Sequence, residues 1–423
     1  MKKKLKPLDH MRNEIDELLR NGSGDSGDFL SEVIRQGTRR MIQEVLEQEI
    51  GDALGRKSDE RRKAGQKGYR NGYERKRFKS GEGRVEVYAP QARGLEEPYQ
   101  SSLLGRMPVM SHKLKELVVE MYARGLSTRD IEDALRAEDG KLLLSRSAVS
   151  ELTDTLWEEY QGFCQRDLSG YDVVYMFADA VYESLRNEAG FKEGVLVAWG
   201  ICSDQRKVLL HMALGNKESE AAWTDFFRDM IARGLRQPLM VTRDGAPGLI
   251  AAIARCFPQS ASQPCLAHKV RNVADKLPES AHDEVLTQIK SAYHHSDEAV
   301  AKTLALDMIE RYAQAYPSAI DCFQKDFDEC IQYMRFPIGH HKFIRTTNLL
   351  ERSFLEQKRR TKTIPKFFNE KSCLKLVFAV LIRVSMRWQR VKMTDWDLTL
   401  LKNIRALKGW SDNDGWISRK IAA

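Results

Sequence analysis

The sequence predicts an α/β core flanked by mainly helical regions, and three observations carry that prediction. Short apolar runs at 172–178, 194–201 and 208–214 follow one another, the last two across a tight polar turn, as strands of a meander do. A further apolar run at 238–242 comes only after an amphipathic stretch at 218–233, so it joins the sheet through a helix. From residue 269 to about 335, Val285, Ile289, Leu304, Met308, Phe323 and Phe327 recur at helical spacing. With a helix at 246–256 and a short strand at 260–264, the order is strand, strand, strand, helix, strand, helix, strand, a mixed five-stranded sheet.

The chain has 423 residues, 42% hydrophobic and 30% charged, enough for two or three domains. It contains no run of about 18 apolar residues, so no membrane span is expected. No apolar signal core follows the basic start, and the seven cysteines are scattered and odd in number. Both features point to a reducing cytoplasm rather than a disulfide framework. The net charge of +8 points mildly toward polyanions.

The N-terminal region opens with a short amphipathic helix at 1–20 and a Gly/Ser/Asp linker at 21–28. A longer helix at 29–54 follows. Its apolar positions Val33, Ile34, Met41, Ile42, Val45, Leu46 and Ile50 call for packing, and a second copy of the chain is the candidate partner. The stretch 56–84 is densely basic, with Arg61, Arg62, Lys63, Lys67, Arg70, Arg75, Lys76 and Arg77, and Tyr69, Tyr73 and Phe78 interleaved. Its glycines keep the backbone open. DNA contact is the favoured reading over a merely solvated arm. Residues 84–90 alternate like a short strand. Residues 113–158 have a helix-turn-helix rhythm. Ser127 or Thr128 caps the second helix and Ser145 or Ser147 the third, which puts Arg146 and Ser147 where base edges are read. An ordinary three-helix packing unit fits the same pattern.

Three acids carry the chemistry. Asp179 and Asp244 fall just past the ends of apolar strands. Strands one and four lying side by side would make them face each other across one sheet edge. Bare acids held together repel unless a cation neutralises them. A third carboxylate comes from 345–362, where Leu350 and Phe354 form a core-facing stripe and Glu351 lies beside it. Arg352, Lys358, Arg359, Arg360 and Lys362 make the rest of that helix basic, a grip for phosphates, while Asn348 belongs to its metal end. Glu356 pairs with Arg360 four residues on. Singly, each acid has a plain structural reading: a turn, a strand-end cap, an internal salt bridge. Jointly they favour a site for two divalent ions about 3.5–4 Å apart. Cys265 and His268 form a Cys-x-x-His pair without a second pair at zinc spacing, so zinc is not expected.

Four ordered motifs then carry a resemblance. They are Asp179-Ala-Val-Tyr, Asp244-Gly-Ala-Pro-Gly-Leu, Cys265-Leu-Ala-His268-Lys-Val-Arg-Asn and Arg345-Thr-Thr-Asn-Leu-Leu-Glu351-Arg, the last running on to Lys-Arg-Arg-Thr. Together they resemble the Mutator-type transposases of bacterial insertion sequences, over nearly the whole chain. The resemblance implies a ribonuclease H-like core with Asp179, Asp244 and Glu351 as catalytic metal ligands, interrupted by an all-helical insertion. It implies two Mg²⁺ or Mn²⁺ ions, and Cys265 and His268 near the active site, with His268, Lys269 and Arg271 toward DNA. The implied activity is metal-dependent cleavage and strand transfer at the terminal inverted repeats of the element, into target DNA. The implied setting is the bacterial cytoplasm, in association with the nucleoid and without a membrane. Two ends must be joined, so a homodimer is expected. A transposase-derived regulator without catalysis is the alternative, and a nuclease of RNA–DNA hybrids a third. Phe354 and the Glu-Ser-Leu-Arg at 183–186 depart from the family pattern.

The expected division is 1–55 for dimerising N-terminal helices, 56–110 for the basic DNA-binding segment and 111–165 for the helix-turn-helix. Residues 166–268 form the first part of the core, 269–340 the insertion, 341–395 the last core helices and 396–423 a tail.

Overall fold

The structure, a computed structural model, describes residues 6–22, 28–63, 66–136, 140–186, 192–215, 219–362, 364 and 366–410. The chain divides into two compact units, residues 1–154 and 155–423.

The first unit holds α1 (Pro7–Asn21), α2 (Phe29–Leu54), β1 (Tyr69–Ser80), β2 (Gly83–Arg93), α3 (Ser102–Arg106), α4 (His112–Ala123), α5 (Thr128–Ala134) and the first turns of α6 (Arg146–Gln165). Asp28 caps α2 by accepting from the Leu30 N–H at 3.1 Å. One side of α2 packs on the hairpin. Leu46 meets Val85 and Val87, and the Gln43 amide both donates to the Tyr88 carbonyl and accepts from its N–H, each at 2.8 Å. The other side leaves Leu30, Ile34, Met41 and Val45 exposed.

Here the structure corrects the open basic arm. The stretch 69–80 is a strand, paired with β2 from Tyr69↔Arg93 to Ser80↔Gly83, and β2 is longer than the run at 84–90. The alternation Val85, Val87, Ala89 buries one face of β2 and supplies a ladder to which the basic strand hydrogen-bonds. A second small core joins Leu114, Val118, Ile131, Leu144 and Val149 across α4, α5 and α6. Ser127 caps α5 in a capping box with Asp130, and Ser145 accepts from the Ala148 N–H at the start of α6.

The second unit is built on one mixed sheet. Its strands are β3 (Val173–Ser184), β4 (Lys192–Cys202), β5 (Lys207–Gly215), β6 (Met240–Arg243) and β7 (Ala261–Pro264), in the order β5-β4-β3-β6-β7. The first three are antiparallel neighbours, and β6 and β7 run parallel to β3. Between β5 and β6 runs α7 (Glu220–Ala232), and between β6 and β7 runs α8 (Pro247–Cys256). These helices cover one sheet face, where Met176, Ala178, Leu196 and Leu210 meet Trp223, Phe226, Phe227 and Ile253. Trp223 and Phe227 are fully buried, and each contributes about 2–3 kcal/mol by leaving water. Trp223 is therefore a core aromatic. The turn after α7 needs Gly234: its φ is +91°, and a Cβ there would meet the Ser169 Cβ at 2.9 Å.

Helices follow: α9 (Leu266–Ala274), α10 (His282–His294), α11 (Glu298–Tyr312), α12 (Pro317–Gln324), α13 (Phe327–Cys330), α14 (His341–Ile344), α15 (Asn348–Thr361), α16 (Glu370–Arg387) and α17 (Asp395–Leu407). Of the tail tryptophans, Trp396 is exposed, Trp410 donates to the Gln259 side chain, and Trp416 lies outside the described residues. No described helix is long and apolar enough to cross a membrane.

Candidate active site

The parallel pairing of β3 with β6 fixes the site. Its register runs Tyr175↔Met240 to Ala178↔Arg243, so the next residues on the two strands, Asp179 and Asp244, stand level. Neighbouring strands lie about 4.8 Å apart, so the two backbones are adjacent there. Asp244 follows the last residue of β6, as the sequence predicts. Asp179 does not end its strand, which is a correction. β3 continues to Ser184 because β4 keeps pairing with it, through Asp179↔Val197 to Ser184↔Lys192. At Asp179 the ladder is therefore intact on one side and has stopped on the other.

Local bonds hold both acids. The Asp244 carboxylate accepts from the Ala246 N–H at 3.0 Å, at the entrance to α8. The Asp179 carboxylate accepts from the Ala180 N–H at 2.8 Å. Between them in the chain, the buried Arg243 is neutralised elsewhere. It donates to Glu329 of α13 at 2.6 Å and to Ser262 at 2.9 Å.

Glu351 lies in the first turn of α15. Leu350 and Phe354 are buried and anchor the helix. Gln357 and Thr361 add polar ties, both donating to the Glu183 carboxylate of β3. The N-terminal end of α15 is tied in just as closely. Thr347 donates its N–H and its hydroxyl to Cys265 Sγ, at 3.3 and 3.2 Å. The Leu266 N–H reaches the Arg345 carbonyl, the Cys265 N–H reaches the Arg243 carbonyl, and the Thr242 hydroxyl reaches the Ile344 carbonyl. The end of β6 and the starts of α9 and α15 thus form one joint.

At that joint Cys265, His268 and Glu351 bring donor atoms within 4.8 Å of one another. His268 Nε2 is 3.6 Å from Glu351 Oε1. Contact with Cys265 pushes the His268 imidazole up to about 9 against its burial, and the charges of Asp179 and Glu351 add to this. Burial would raise the Cys265 thiol, but its contacts with His268 and Thr347 outweigh that and hold it below the ordinary range. Structural zinc takes four ligands, and this group offers three, with the sulfur already accepting two hydrogen bonds from Thr347. Hard cations suit the carboxylates better. Glu351 Oε1 is a buried oxygen that accepts no hydrogen bond, and the His268 imidazole is the charge that faces it.

The residues expected at DNA fall into two groups. Several are neutralised by their own chain. Arg70 pairs with Glu47 at 2.6 Å, Arg75 and Arg77 share Glu86, Lys67 meets Glu96 and Lys76 meets Glu74. Arg359 and Arg360 both pair with Glu356, and Lys269 pairs with Asp326 at 3.5 Å while donating to the carbonyls of Cys322 and Lys325. Arg62 lies over the Tyr69 ring. Arg61, Lys63, Arg146, Ser147, Arg271, Asn348, Arg352 and Lys358 present exposed side chains. Sequence reasoning did not single out Thr347 or Glu183. The first stood inside a quoted motif, and the second among the departures from the family pattern.

Asp179 and Asp244 thus stand level on neighbouring parallel strands, and Glu351 groups with a buried thiol and an imidazole where β6, α9 and α15 meet. The chain belongs to the Mutator family of transposases: the family model matches residues 12–391. It is 33% identical over 357 residues to the transposase for insertion sequence element ISRM5 of Rhizobium meliloti, covering 84% of this chain and 88% of that protein. It is 31% identical over 279 residues to the transposase for IS6120 of Mycolicibacterium smegmatis, covering 66% and 86%. The transposase for IS256 in transposon Tn4001 of Staphylococcus aureus is 28% identical over 322 residues, covering 75% and 82%. A role as a transposase, a DNA-processing enzyme, follows from this membership.

Proposed function

We propose that the chain cuts DNA at the terminal inverted repeats of its own insertion sequence and joins the freed ends to target DNA. The observation that carries this is the register bringing Asp179 level with Asp244, with Glu351 on a helix packed against the same strand. In this reading the second unit contains a ribonuclease H-like core, and Asp179, Asp244 and Glu351 are the ligands of two Mg²⁺ or Mn²⁺ ions. When bound, such ions activate a nucleophile and stabilise the leaving oxygen.

The chain's own groups do the rest. Asp179 and Asp244 each accept from a backbone N–H, which fixes the carboxylates beside the scissile phosphodiester in this reading. His268, protonated at neutral pH, holds Glu351 in place. Arg352 and Lys358 carry charge toward the strand. Water attacks phosphorus and the 3′-oxygen leaves as a hydroxyl; that hydroxyl then attacks a target phosphodiester, and one bond is exchanged for another. Residues 111–165 act as a helix-turn-helix, with Arg146 and Ser147 at base edges. Two copies pair through α2, bringing two element ends together.

The test is end-sequence DNA with Mg²⁺ and purified protein. Nicking that persists undiminished in Asp244→Ala would sink the triad. Binding of the ends without metal-dependent nicking by the wild-type chain would instead favour a regulator. Calorimetric titration with Mn²⁺ should lose its binding heat in Glu351→Gln. Light scattering should give a dimer.

A further inference from the structure

Outside the carboxylate site, the second unit has a basin of about 680 Å³ between β5, the end of α6 and the end of α16. Phe163, Tyr171 and Trp388 give it aromatic walls, the first covered by Arg166 at 3.8 Å, and Arg166, Arg206, Lys207 and Arg390 give it positive charge. Glu159 is its one acidic lining residue. Arg206 is paired with Asp204, but Lys207 and Arg390 make no ion pair with a described residue. Burial, and after it the charge of Arg352, lower the Lys207 ammonium. Trp388 is held in place by Trp199 of β4, with ring centroids 4.3 Å apart.

The basin and the acids lie on one side of the sheet. Leu209 on the basin wall pairs with Trp199, and Trp199 pairs with Phe177, two residues before Asp179 and on the same face. Two strand spacings and two residues of rise put that wall about 12 Å from Asp179.

We propose that this basin binds one unstacked nucleotide of a single-stranded DNA segment leading to or from the carboxylate site. It rests on the reading of the chain as an enzyme that opens DNA at its ends. The base stacks on Trp388 or Tyr171, and its phosphates meet Lys207 and Arg390. Duplex bases are already stacked and cannot enter, so the basin distinguishes a frayed strand from an intact one. Aromatic walls beside Lys207 and Arg390, which have no acid partner among the described residues, fit an anion with a flat ring, whereas an acidic peptide would use the charge alone.

The test uses the full chain in EDTA with fluorescein-labelled oligothymidine of about 12 nucleotides. Lys207→Glu with Arg390→Glu should weaken binding by about 10-fold or more. Met386→Glu on the exposed rim, carried in parallel, should weaken it as well. Light-driven crosslinking of a bromodeoxyuridine oligonucleotide to wild-type protein should label Trp388 or Tyr171. Unchanged binding in the variants, labels only elsewhere, or equal displacement by polyglutamate would overturn the proposal. End nicking by wild-type protein is measured alongside. Nicking without occupation of the basin removes this inference alone, and occupation without nicking removes the catalytic reading and leaves the basin standing.

Discussion

The basic hairpin of the first unit and the carboxylate joint of the second are both dense in charge, and they handle it in opposite ways. In the hairpin four cations find an acid of their own chain: Glu47 for Arg70, Glu86 for Arg75 and Arg77, and Glu74 for Lys76. At the joint the charges are left over. Glu351 Oε1 accepts no hydrogen bond and, among the described residues, has only the His268 imidazole, 3.6 Å away, as its charge partner. Charge satisfied internally holds a fold together. Charge held rigidly and left unsatisfied is what a ligand completes.

The sharpest way to break this contrast is Glu351→Gln. End cleavage should fall by at least about 10³-fold, as removal of a group acting on the transition state does, while thermal melting stays near wild type. A variant that cleaves normally would make Glu351 a mere salt-bridge partner of His268. The next effect concerns stability. His211, buried against Phe226 and 3.3 Å from Asp229, is lowered to about 4, first by burial and then by Arg233. Its folded value lies below the unfolded one, so its stabilising effect is full above pH 6.5 and lost as pH falls toward 4. The loss reaches at most about 3 kcal/mol. His211→Asn should flatten the urea-unfolding profile across that window, and an unchanged slope would refute it.

A smaller effect is expected in the hairpin. Glu47→Ala leaves Arg70 unpaired and removes the acceptor of the Tyr73 hydroxyl, at 2.7 Å. Unfolding of the first unit should become easier by about 2 kcal/mol, read from denaturant midpoints. Smallest is the salt dependence of DNA binding. Arg61→Ala should reduce the slope of log affinity against log salt by about 1, and Arg75→Ala by less, since Glu86 already takes part of its charge. Equal slopes would erase the distinction between satisfied and unsatisfied cations.

The order of the sheet elements was legible because hairpin strands and a helix-linked strand leave different patterns, and that order already puts strands one and four together. The level of Asp179 with Asp244 was legible in outline. The length of β3 was not: residues 180–184 read as weak strand by composition, and only pairing with β4 extends them. The basic stretch misled for a related reason. Lys and Arg are poor strand formers alone, and what makes 69–80 a strand is the buried alternation of its partner, fourteen or so residues away. Thr347 was invisible as a brace because a hydroxyl-to-sulfur bond across the fold leaves no trace in spacing.

One further consequence lies in the brevity of β6, four residues that stop at Arg243. Side chains alternate along a strand, so the side taken by Asp244 depends on whether the count from Met240 is odd or even. A single residue inserted in β6 would turn the carboxylate to the α7–α8 side, with the sheet and the family motifs otherwise intact. Two inserted residues would restore the side but carry the acid about 6.6 Å past Asp179. The site is therefore written in parity as well as in residue identity, and a relative with every acid present but one residue more in this strand would be silent.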